Sequence, residues 1–242
     1  MANRSILWKT ILAVSLLTLI PNQAATAGIR TDRLSPKQLQ MWNSIREIVF
    51  AKGRTNRLLH PRLHELWQSV ERSGHLIFVE LGKDAENAST KAGDMIVEKA
   101  DPGGVQHIVT IRLFLSTINR AFAEKTLPRG AEQFAPFAGL SRKARYAEVL
   151  GHELAHVERL LGDPNYLSLY TELDRELRSY CSSRNNQDGQ DRDQEVQKHL
   201  ERIDSLVNEV ETPAVAAEAE IWRELVAREV GRMGVHTGTE MD

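Results

Sequence analysis

His152 and His156 stand four residues apart, with Glu153 directly after the first, in the stretch GHELAHVERLLG that fills positions 151–162. On a helix, residues i and i+4 share a face, so both imidazoles can aim at one point. A zinc ion at about 2.0–2.1 Å from each ring nitrogen suits such a pair. Glu153 leaves the helix about 100° away from His152. Its carboxylate is therefore placed to take a proton from a water beside the metal, as that water attacks a carbonyl, and not to hold the metal itself. This division of work explains the order H-E-x-x-H.

A catalytic zinc needs a third protein ligand and an open position for water. No third histidine follows at short spacing, since 159 is Arg and 162 is Gly. The candidates are carboxylates. YTELDRELRSY supplies Glu172 and Glu176, one turn apart on one face, and Glu218 and Glu220 on the last helix are fallbacks. Tyr166 and Tyr170 lie beside Glu172 and Glu176, where a phenol can donate to a developing oxyanion.

At this point the chain resembles a zinc metallopeptidase of the gluzincin type, in which H-E-x-x-H is followed by a glutamate ligand on the next helix. Glu176 falls twenty residues past His156, and the small residue Ser179 three further on is similar to the E-x-x-A pattern of several small relatives. The resemblance covers about Leu76 to Cys181 and is nearest to the minimal gluzincins. It implies one zinc ion on His152, His156 and Glu176, with Glu153 as general base, and Tyr166 beside the glutamate helix is the expected catalytic donor. Glu172 is the alternative ligand, and whichever glutamate is not on the metal is free to hold a histidine N–H. The pattern departs at Tyr180, where thermolysin-like members carry an aspartate that supports a histidine. Peptidases of this type bind substrate along a sheet edge by strand addition. The run 105–115, the last strand before the motif, is the expected edge.

The elements that must position these residues are legible as an α+β chain. Ser35 caps a first helix that Pro36 opens, with Leu39, Trp42, Ile45 and Val49 at helical spacing. A second helix runs from Pro61 to Arg72. A small sheet of about three strands follows, at 75–81, 94–100 and 105–115, punctuated by Gly- and Pro-containing turns. Ser141 caps the active-site helix, Gly162 and Pro164 stop it, and a glutamate-bearing helix spans about Tyr166 to Cys181. The segment 182–194 is polar and reads as a linker. Beyond it, residues 195–232 read as a C-terminal helical hairpin broken at Pro213, and 233–242 as a tail. The expected organisation is thus a signal segment at 1–27, N-terminal helices at 28–73, a zincin-like core at 74–181, then linker, hairpin and tail.

The N-terminus has the layout of a cleavable signal peptide. Arg4 and Lys9 precede the apolar run Ile11 to Ile20, Pro21 breaks it, and Ala25-Thr-Ala27 fits a small-x-small cut after Ala27. The expected location is periplasmic or secreted, with no stable membrane insertion after the cut. The single cysteine, Cys181, excludes an internal disulfide. A net charge of −2 excludes the basic excess that nucleic-acid binding needs. The expected partner is a peptide or protein substrate, and the sequence leaves the oligomeric state open. Two functional readings follow: an exported zinc metallopeptidase, or a catalytically silent zincin-fold binding or regulatory module.

Overall fold

The computed structural model describes residues 27–82, 92–99, 106–123, 140–186 and 190–236. The signal-like segment before Ala27 and the tail after 236 lie outside them. The element order is β1 (Gly28–Arg30), α1 (Pro36–Val49), α2 (Pro61–Glu71), β2 (Leu76–Gly82), β3 (Gly93–Lys99), β4 (Ile108–Phe114), α3 (Leu115–Ala123), α4 (Arg142–Gly162), α5 (Tyr166–Asn186) and α6 (Gln190–His236).

The sheet has four strands in the order β1-β2-β4-β3, with β1, β2 and β4 parallel and β3 antiparallel to β4. β1 is too short to show a period of two, which is why three strands were expected. Alternation splits the sheet cleanly. Ile77, Val79, Leu81, Val109, Ile111 and Leu113 are buried on one face. The other face carries a polar ladder in which Arg112 Nε donates to Glu80 Oε2 at 2.9 Å and Arg33 binds Glu98 and Thr110. The run 105–115 was expected to be the exposed edge. β4 instead lies inside the sheet, paired on both sides, and the edge nearest the motif is β3.

α4 is the central helix. It packs against α1, α2, α3, β3, β4 and α6, and its residues are buried nearly all round, as a helix enclosed by neighbours must be. Ser141 caps it, its side chain accepting from Ala144 N. On the α1–α2 side, Trp42 stacks on Trp67 with centroids 5.4 Å apart, over Ile45, Leu63 and Leu66.

The expected hairpin at 195–232 is not formed. α6 is one helix that runs through Pro213. Proline removes one helical hydrogen bond and costs about 3 kcal/mol in a helix interior. Packing offsets this: Leu206, Val210, Ala214, Ala217, Ile221 and Leu225 are all buried, a stripe at helical spacing that passes straight through the proline. Burying an aliphatic side chain is worth about 1.5–3 kcal/mol, so several such residues outweigh one lost bond. The antiparallel pair is formed by α5 and α6, and the polar segment 182–194 is helical on both sides of 187–189.

Candidate metal centre

His152 and His156 point into one place from α4. Their Nε2 atoms are 3.0 Å apart, and Glu211 Oε2 from α6 lies 3.3 Å from the first and 3.4 Å from the second. Two ligand atoms about 2.0–2.1 Å from a tetrahedral zinc stand roughly 3.3 Å from each other. The three donors therefore already have the separations of a zinc ligand set, and they form a cluster that could hold a metal ion.

Both histidines are oriented from behind. Nδ1 of His152 donates to Glu218 Oε2 at 3.0 Å, and Nδ1 of His156 lies 2.6 Å from the Tyr166 hydroxyl. Nδ1 donating to the Glu218 carboxylate is the arrangement in which Nε2 of His152 can serve as a metal ligand, and the Tyr166 hydroxyl holds the His156 ring from the same side. The geometry comes from α4 and α6 running antiparallel at close range. Gly151 permits it, since a Cβ there would collide with Ile221 Cδ1 and lie 3.2 Å from Leu63 Cδ1.

Sequence reasoning placed the third carboxylate on α5, and the structure does not bring it to the histidines. Glu176 Oε2 lies 2.8 Å from His199 Nδ1, and Glu172 accepts from Arg202 at 2.6 Å. α5 packs chiefly along α6, so its acidic face meets α6 and not α4. Glu218, a fallback ligand, is the His152 anchor, and Glu220 faces Arg62 at 3.6 Å. Tyr166, expected as a substrate-facing donor, is fully buried behind His156. Tyr170 does line the cleft, but its hydroxyl donates to the Met95 carbonyl. Glu211 was missed. The signal that could have found it is the spacing of Glu211 and Glu218, two turns apart on one side of the unbroken apolar stripe of α6.

A cleft of about 350 Å³ opens onto the cluster, walled by Gly93, Asp94 and Met95 of β3, by Leu173 and Leu177 of α5 and by Val207 of α6. Glu153 lies in it, only 4% exposed. Its carboxylate is tucked under Gly93, where a Cβ would collide with Oε1 and stand 2.8 Å from Cγ. Ala92 O accepts from Phe114 N. By antiparallel alternation the backbone groups of Gly93, Met95 and Val97 face outward from the edge.

Burial and the His–carboxylate hydrogen bonds pull against each other across the cluster. Burial opposes a charge on His152, but its hydrogen bonds to Glu211 and Glu218 outweigh that and hold the imidazole up to about 10. Burial likewise opposes a charge on Glu211, yet its bonds to both histidines hold its carboxyl below the usual carboxylate range. Behind them, burial pushes the Glu148 carboxyl up, although Arg145 Nη1 donates to it at 2.6 Å.

Comparison with known proteins matched no family model, no curated protein and no solved structure. Among the described residues, no helix is long and apolar enough to cross a membrane.

Proposed function

We propose that the protein is an exported, zinc-dependent peptidase of the periplasm or the extracellular space, with one metal ion on His152, His156 and Glu211 and with Glu153 as general base. The observation that carries this reading is the convergence of three donors at zinc-like separations beside a buried glutamate that is not one of them. The residues fit the metal, since their set of two imidazoles and one carboxylate, with both Nδ1 atoms anchored, is that of a catalytic zinc site. A bound zinc ion would supply Lewis acidity toward water and toward a substrate carbonyl.

The chain's own residues would do the rest. A peptide in extended form would add to the outer edge of β3 and use the outward groups of Gly93 and Val97. Its scissile carbonyl would then lie over the cluster. Glu153, beneath Gly93, would take the proton from the attacking water and pass it to the leaving amine. Leu173, Leu177 and Val207 would keep bulk water from that exchange.

A second reading, a silent zincin-fold binding module, is favoured by one observation: the Tyr170 hydroxyl occupies the Met95 carbonyl on the edge a substrate would use. Glu153→Gln separates the two readings. The peptidase reading expects retained zinc, a nearly unchanged melting temperature and a loss of peptide hydrolysis of at least about a hundredfold against a broad peptide library. Wild-type protein that holds zinc and cleaves nothing, with a Gln variant that keeps its cellular role, selects the binding module.

A further inference from the structure

The expected cut after Ala27 and the conformation of Gly28 meet at one peptide bond. Ala27 is exposed, whereas Gly28 is buried and opens β1. Gly28 N donates to His75 O at 2.7 Å, and Ile29 N donates to Glu71 Oε2 at 3.0 Å. Gly28 has φ of +109°, a region that side chains disfavour. A Cβ there would stand 3.2 Å from both Glu71 O and Glu71 Oε1. Position 28 is thus seated on the C-terminal end of α2, whose last residue is Glu71. A helix C-terminus carries negative partial charge, and here a carboxylate adds to it. An amide nitrogen brings one donor and no charge to this place.

We infer that the end of α2 is a binding site for the chain's own α-ammonium group, created by cleavage between Ala27 and Gly28. The inference rests on residues 1–27 being a cleavable export segment. A processing peptidase adds water across the bond. The oxygen goes to the new Ala27 carboxylate and the hydrogens to the Gly28 amine, which is protonated at neutral pH. The ammonium keeps the bond to His75 O and brings a full positive charge to the Glu71 carboxylate and the helix end. Cleavage must precede docking of β1, because the bond's Gly28 side is buried once the sheet has formed and a protease needs an extended, accessible segment. Processing therefore adds a fastening to the edge strand and does more than remove a leader.

The test compares three forms of the chain from Gly28 onward: free amine, Nα-acetylated, and with Ala27 retained. The acetyl group reproduces the Ala27 carbonyl that the structure already accommodates, so it removes charge without crowding. The free-amine form should melt about 2–4 °C above the other two at pH 7. Glu71→Gln should close that gap. Equal melting of the free and acetylated forms, or a gap that survives Glu71→Gln, overturns the inference. N-terminal sequencing of exported protein tests the cut separately: a start at any residue other than Gly28 overturns the processing step, while the melting comparison still judges the site.

Discussion

The Tyr166 hydroxyl lies 2.6 Å from Nδ1 of His156, on the side of the ring turned away from the cluster. Burial raises this phenol above its ordinary value, so it stays protonated and neutral. Its work is to hold the His156 ring in place. Tyr166→Phe should weaken zinc binding by about 10–100-fold. Competition against a chromogenic chelator measures this. Variant protein saturated with zinc should keep near wild-type turnover, and a loss of turnover at full loading would return Tyr166 to the role of substrate-facing donor.

Glu211→Ala should abolish stoichiometric zinc, whereas Glu176→Ala and Glu172→Ala should retain it. Metal analysis after purification without chelators decides between the two helices. Zinc lost from the Glu176 variant and kept by the Glu211 variant would reinstate the α5 ligand.

Gly93→Ala should act on Glu153 and not on the metal. The added methyl collides with the Glu153 carboxylate, and a misplacement of about 1 Å in a reacting group costs about a hundredfold in rate. Zinc content should be unchanged and peptide hydrolysis should fall by about that factor. Wild-type activity in this variant would mean the general base is not held under β3.

Gly151→Ala tests the crossing of α4 and α6. Helix propensity favours the substitution by about 1 kcal/mol. Overpacking opposes it by about 1–3 kcal/mol, because Ile221 is fully buried and its Cδ1 must shift within the core to admit the methyl. The net expectation is destabilisation of up to about 2 kcal/mol by chemical denaturation. Adding Ile221→Val removes that Cδ1 and should recover most of the loss, and a double variant no better than the single one contradicts the contact.

Acid should act through Glu98. Hydrogen bonds from Arg33 and Thr110 hold its carboxyl down to about 2 from an ordinary 4.5. A depressed carboxyl contributes stability above its unfolded value, and that contribution is lost as pH falls through the folded one. Wild type should therefore melt above Glu98→Gln at pH 6, and the two curves should converge between pH 4.5 and 2. A difference that persists unchanged at pH 2 rules out the ionised pair as its source.

Local signals carried much of this architecture. Ser141 announces α4, apolar runs between Gly- and Pro-containing turns announce β2 and β4, and the i,i+4 pair announces where two imidazoles meet. What sequence patterns missed depends on long-range packing. Glu172 and Glu176 satisfy the spacing of a ligand helix, but helical spacing fixes which residues share a face and not which neighbour that face meets. Their partners, Arg202 and His199, belong to α6. Pro213 suggested a turn because local propensity was weighed alone, while the stripe from Leu206 to Leu225 shows tertiary burial overriding it. Coming last before the motif makes β4 the expected edge, yet chain order does not fix strand order once β3 pairs outside it.

The placement of Glu211 and Glu218 on the last helix also sets an order in time. A chain that emerges N-terminus first presents His152 and His156 while α6 is still to come. Two imidazoles alone are an incomplete hold on a metal. The carboxylate that completes the set and the one that steadies His152 then arrive together, with α6. Under the proposed chemistry, metal capture waits for α6. On that proposal a product truncated after α5 would carry the whole H-E-x-x-H motif and remain inert, so no half-made copy would act on the proteins around it.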